Sequence, residues 1–117
     1  MFKIEIFADR DGNSPILQFL DGLNKTAQTN KDSRIRLKII TRYFNALREY
    51  GTQVGMPFVR HIEGDLWELR PADDRFFFAY WTGKTFIILH HYVKKSQKTP
   101  LREIEQAKRN LKEFLER

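Results

Sequence analysis

An α+β fold, a small antiparallel β-sheet carrying helices on one side, is predicted by three features of this 117-residue chain. Two helical stripes stand near the N-terminus, several short strand patterns separated by turn residues fill the middle, and an amphipathic helix closes the sequence. The length predicts one domain spanning residues 1–117. A composition that is 41% apolar, with ten Phe, four Tyr and two Trp, is enough for a core without disulfides or a structural metal.

Residues Phe2 to Phe7 alternate weakly and predict a first strand. Ser14-Pro15 predicts a helix start, because Ser accepts an orphan amide and Pro suits the first helical position. Ile16, Leu17, Phe19, Leu20 and Leu23 then form a short apolar stripe. A longer helix is predicted over 29–49, burying Ile35, Ile39, Ile40, Tyr43, Phe44 and Leu47. Arg34, Lys38 and Arg42 recur every four residues and share a solvent-facing line. Gly51 and Gly55 end that helix. Strands are predicted over 59–61, 66–69, 76–81 and 85–93, with Gly64-Asp65 and Thr82-Gly83-Lys84 as turns. Thr99-Pro100 opens the last helix, whose apolar positions are Leu101, Ile104, Ala107, Leu111, Phe114 and Leu115.

Composition narrows the function classes. Cysteine is absent, which removes thiol nucleophiles and cysteine-based zinc sites. The N-terminus carries Lys3 and Glu5 and lacks the long apolar run of a signal peptide or membrane span, so a soluble cytoplasmic protein is expected. The net charge is +6 and unevenly spread. Residues 25–48 hold seven basic groups and one acid, and residues 94–117 hold eight against four. Such an excess favours a nucleic-acid partner without establishing one.

Strand alternation places the candidates. His90, Tyr92 and Lys94 fall on one face near the end of their strand, and Arg75 begins its antiparallel neighbour. Arg70 ends the preceding strand, so Arg70, Arg75, His90, Tyr92 and Lys94 are expected to converge at one sheet edge, with Lys95 adjacent. Either the two arginines are solvated turn charges paired with Asp73 and Asp74, or they grip an anion. Arginine donates to two phosphate oxygens at once, and histidine is the one candidate type that ordinarily titrates near neutrality. His90 or His91 reads equally as a packed histidine at the core edge, and Tyr92 as packing or a base-stacking ring. Adjacent strand residues face opposite ways, so His90 and His91 make a poor metal pair. Lys94, Lys95 and Lys98, in the linker before a helix start, suit phosphate.

Leu66-Trp67-Glu68-Leu69-Arg70, then Arg75, Ile88-Leu89-His90, Tyr92 and Lys94-Lys95-Ser96-Gln97-Lys98-Thr99-Pro100, with Glu103, Ile104 and Ala107, carry a nearly end-to-end resemblance. The chain resembles the phage-derived Gp49-like, HigB-type branch of the RelE/ParE toxin superfamily. That resemblance implies a RelE-like sheet with two N-terminal helices and a C-terminal helix. It also implies the toxin of a type II toxin–antitoxin pair, which cuts mRNA on the ribosome without metal or cofactor. A HigA-like helix-turn-helix antitoxin would neutralise it, and a dimer of toxin–antitoxin heterodimers is one assembly this allows. By the same resemblance Arg75 and Arg70 hold the phosphate, Lys94 and Lys95 are the late basic pair, and His90 and Tyr92 match recurrent positions. Lys98, Arg34, Lys38 and Arg42 are then expected to meet RNA backbone.

The chain departs from that pattern where related enzymes have lysines before the first arginine: Leu66 and Glu68 stand here. A general base must then come from His90, Glu68 or a late lysine. His91 replaces a frequent glycine. Two other readings compete, a ParE-like toxin acting on a protein such as gyrase, and a non-enzymatic RNA- or ribosome-binding module.

Overall fold

The computed structural model describes residues Met1–Arg117. The elements run β1 (Lys3–Ile6), α1 (Pro15–Ala27), α2 (Lys31–Tyr50), a 3-10 turn (Gly51–Val54), β2 (Val59–Glu63), β3 (Leu66–Leu69), β4 (Asp74–Thr82), β5 (Thr85–Val93) and α3 (Leu101–Leu115). No helix is long and apolar enough to cross a membrane. The order matches the expected β-α-α-β-β-β-β-α. The five strands form one sheet in the order β1-β5-β4-β3-β2. It is antiparallel except for β1, which pairs parallel to β5 with Ile4 opposite Phe86.

The helices do not lie on one side, as the sequence reading expected. β4 and β5 carry unbroken apolar runs, Phe76–Ala79 and Phe86–Leu89, all fully buried. A strand apolar on both faces requires cover on both. One core joins Ile16, Leu23, Ile40, Phe44 and Leu47 of α1 and α2 to Leu69, Phe76, Phe78, Phe86 and Ile88. The other sets Ala107 of α3, with Ile104, Leu111 and Phe114 at its margin, against Leu66, Phe77, Ala79, Ile87, Leu89 and Tyr92. Each large side chain so covered contributes about 1.5–3 kcal/mol, so the sheet needs α3 as much as the helix pair.

Local signals explain most boundaries. Ser14 Oγ accepts from the Leu17 amide at 3.3 Å and donates to the Phe7 carbonyl at 2.7 Å, which ties the start of α1 to the end of β1. Asn30 caps α2 through the Ser33 amide at 2.9 Å, so this helix begins two residues later than expected. Ile35, expected in the core, is 48% exposed, one turn before α2 reaches the sheet at Ile40. Thr99 does not cap α3. Pro100 takes the cap position without a side-chain bond, and the Thr99 hydroxyl accepts from Arg60 at 3.0 Å.

Gly51 ends α2 at φ +63°, where an added Cβ would lie 2.7 Å from the Phe2 ring. Gly51→Ala is therefore expected to lower unfolding free energy by about 2 kcal/mol, as strain in the left-handed region adds to overpacking. Chemical denaturation measures this. An unchanged midpoint would mean that the close approach carries no energy.

Candidate functional site

The joint between β3 and β4 holds the two arginines that frame Pro71-Ala72-Asp73-Asp74. Leu66, Glu68 and Arg70 alternate to one face of β3, the face that α3 covers. Glu68 lies opposite Phe77 across β3–β4, and Arg75 opposite Tyr92 across β4–β5. Register thus brings Glu68, Arg70, Arg75 and Tyr92 together from three strands.

Glu68 is the centre of the group and is 1% exposed. Its Oε2 accepts from the Tyr92 hydroxyl at 3.1 Å. Its Oε1 lies 3.5 Å from Arg70 Nε and 3.8 Å from Arg75 Nε. A carboxylate taken out of water is tolerated only when it is paired and hydrogen-bonded, and here two guanidinium groups and a phenol supply that. The arginines therefore do not pair with the side chains of Asp73 and Asp74. Arg75 is buried and donates through Nη1 to the Ala72 and Asp74 carbonyls at 2.6 and 2.9 Å. These bonds fasten the joint at Ala72, a non-glycine residue held at φ 54°. Burial pulls the Arg75 guanidinium below its usual range, while the Glu68 charge acts in the opposite sense.

Arg70 is more open. Its side chain is one-fifth exposed, its Nη1 meets the Met56 sulfur at 3.4 Å, and its buried Nε has no hydrogen-bond partner. Lys94 follows β5, donates its amide to the Asp73 carbonyl at 2.7 Å, and has a half-buried side chain with no partner. The Arg70 and Arg75 guanidinium groups share the Glu68 carboxylate, and the Asp73 carboxylate also acts on Arg75. With Lys94 beside them, the joint keeps a small positive excess suited to an anion. No group of three or more His, Cys, Asp or Glu side chains is placed to hold a metal ion.

Tyr92 is buried, with its ring stacked on Phe77 at 5.5 Å, so its face is closed to a nucleobase. Its hydroxyl is pushed up to about 12, first by burial and further by the nearby Glu68 carboxylate. A tyrosine favoured neutral in the folded state stabilises fully below pH 10, and that contribution is lost as pH rises towards 12. The loss is of order 2 kcal/mol. Tyr92→Phe is expected to flatten this alkaline limb in urea titrations between pH 9 and 12. An identical limb in the variant would place the titration elsewhere.

His90 is drawn away from the arginines. The Phe77–His90 and Phe78–Ile88 pairs leave Leu89 as the extra residue of a bulge. Simple alternation therefore fails at this point: Leu89 and His90 both face α3, and His91 joins Phe86 and Ile88 on the other side. His90 Nε2 lies 2.8 Å from Glu103 of α3. His91 Nε2 lies 2.8 Å from Asp74, which also receives Arg36 through two bonds of 2.6 and 2.8 Å. Burial would raise the Asp74 carboxyl, but these partners outweigh it and hold it below the usual carboxylate range. His91 is thus part of the clamp joining α2 to β4.

Lys95 and Lys98 are exposed in the segment after β5. Arg34, Lys38 and Arg42 are exposed along α2, which covers the other face of the sheet, and Arg34 also donates to the Ala27 carbonyl at 3.1 Å. The α2 line is therefore separate from the joint. The sequence reading missed Glu68 as the hub, named Glu103 only among the residues of the resemblance without a role beside His90, and missed Arg60 altogether. For Glu68 a signal existed, since strict alternation puts it beside Leu66 on a covered face.

No curated protein matches the chain in sequence. A family model described as phage derived protein Gp49-like (DUF891) matches residues 18–112, a span that runs from within α1 to near the end of α3 and contains every residue of the joint. The chain belongs to the phage-derived Gp49-like protein family.

Proposed function

We propose that this protein is a HigB-type toxin of the RelE/ParE superfamily, a ribosome-dependent endoribonuclease that folds as one domain and acts in the cytoplasm. The observation that carries the reading is the joint at which Arg70 and Arg75 flank one buried carboxylate, with the Lys94 amide fastened to the Asp73 carbonyl beside them. In the reaction a base takes the proton of the 2′-hydroxyl as its oxygen bonds to the adjacent phosphorus. The bond from phosphorus to the 5′-oxygen breaks, and an acid protonates that oxygen. A cyclic phosphate remains on the upstream fragment. Arg70 and Lys94 contact the phosphate, and Arg75 acts from beneath it through charge and by fixing the loop. Lys94 or His90 moves the protons, while Tyr92 positions Glu68 and Arg75. No metal enters this scheme. Lys95, Lys98 and the α2 line meet ribosomal RNA backbone, so association weakens with salt. A HigA-like helix-turn-helix antitoxin neutralises the toxin by covering the joint.

Purified protein added to translating ribosomes is expected to cut the message, and naked mRNA should be cut far less. Intact message under both conditions would remove the reading. A ParE-like action on a protein target is favoured by one feature: Arg75, Tyr92 and His90 are all engaged in internal contacts. Arrested DNA replication with intact mRNA on expression would select it.

A further inference from the structure

We propose that a second cleft, at the far end of β4 from Arg75, is a subsite for one unpaired base of single-stranded RNA; the choice of RNA rests on the proposed function above. The cleft measures about 650 Å³ and lies where α2 runs into the 3-10 turn beside β1 and β4. Its walls are Phe2, Tyr50, Tyr80 and Val54, and its rim is Glu49, Thr52 and Gln53. Tyr80 is five residues along β4 from Arg75, about 17 Å for an extended strand, and alternation sets it on the opposite face of the sheet.

Three properties point to a base. The first is aromatic surface left open in a rigid frame. Tyr50 and Tyr80 are 56% and 45% exposed, while Phe2 packs against Phe86 at 5.0 Å and Tyr80 against Phe86 at 4.4 Å. Gly51, pressed against the Phe2 ring, lets the floor close without a side chain. The second is unspent polarity. The side chains of Glu49, Thr52, Gln53, Tyr50 and Tyr80 make no hydrogen bond or ion pair within the protein, which leaves donors and acceptors free for a base edge.

The third is charge. The Phe2 amide bonds to the Arg48 carbonyl and the Lys3 amide to the Lys84 carbonyl, each at 2.7 Å. Arg48 and Lys84 thus stand on backbone near the aromatic wall, Lys84 without a side-chain partner, whereas Lys3 alternates with Phe2 to the opposite face of β1. An aromatic platform beside basic residues is the arrangement that holds single strands. Glu49 adds a preference: a carboxylate accepts from the exocyclic amino groups of adenine and cytosine, which uracil lacks.

The test uses the intact protein with fluorescein-labelled hexanucleotides of A, C or U, an abasic hexamer of equal length, and an arginine tripeptide. Binding is read by anisotropy and mapped by amide shifts. A6 and C6 are expected to bind more tightly than U6 and the abasic strand, with shifts at 52–54. Tyr50→Ala, a change at an exposed side chain, should weaken A6 by about 5- to 100-fold, the range for one stacked base. Tyr80→Leu, which keeps apolar contact with Phe86, should do the same, and Glu49→Gln should narrow the gap between A6 and U6. Equal binding of the abasic strand, or A6 affinity unchanged in both tyrosine variants, would overturn the subsite. So would shifts at these amides caused by the arginine tripeptide but not by A6. The assay needs no ribosome. Failure here with message still cut rejects only the subsite, whereas binding here without cutting rejects only the nuclease reading.

Discussion

Replacing Glu68 with alanine is expected to destabilise the protein by about 3–5 kcal/mol, the range for removing one partner of a buried ion pair. The wild-type carboxylate faces Arg70, Arg75 and the Tyr92 hydroxyl within one closed space. Without it Arg75, 6% exposed at the side chain, keeps only carbonyl acceptors for a full positive charge. Arg70 is affected less, because its side chain reaches water. Glu68→Gln separates charge from shape: it retains an acceptor for Tyr92 and should cost about half as much, since a neutral amide still fills the space. Urea denaturation of the three proteins measures both effects. Equal stability of wild type and Glu68→Ala would mean that the cluster is already open to water.

The second large effect is on activity. Arg70→Ala and Lys94→Ala are each expected to slow mRNA cutting about 10²-fold, comparable to removing one donor from an oxyanion site. Neither side chain is committed to the fold as Arg75 is. Arg70 Nε makes no hydrogen bond, although it lies 3.5 Å from Glu68, and Lys94 has a free ammonium. The thermal midpoint should stay close to wild type for Lys94→Ala and fall for Arg70→Ala, which takes one guanidinium from the buried Glu68 carboxylate. Rates are therefore compared at a temperature where each variant is folded. Arg75→Ala tests the same chemistry less cleanly, because it also releases Ala72 and Asp74. Full activity in the Arg70→Ala, Lys94→Ala double variant would place the chemistry elsewhere.

Much of the fold was legible because its punctuation is local. Ser14-Pro15, Gly51, Gly64-Asp65 and Gly83 bound elements to within a residue or two of where the structure has them. Arg70 and Arg75 were legible as neighbours because they flank a short turn between adjacent strands. What was hidden depends on contacts between distant segments. Nothing within Phe2–Phe7 encodes a parallel partner, yet β1 pairs with β5 across eighty residues of chain. The bulge at Leu89 lies in an unbroken apolar run without glycine, so alternation carried past it gives the wrong face for His91. Thr99-Pro100 has the form of a cap, but the Thr99 hydroxyl is taken by Arg60 of β2. The apolar run in β4 was itself the clue to a helix on each face, since alternation of apolar and polar residues would have signalled one wet side.

Mapping mRNA 5′-ends after brief induction in cells, with the wild type beside the Arg70→Ala, Lys94→Ala double variant, tests most directly whether the joint grips phosphate for cleavage. New ends inside translated reading frames should accumulate with the wild type and vanish with the double variant, at equal protein level and at a temperature where both proteins are folded. The same set of ends from both proteins, or no new ends from either, would contradict it.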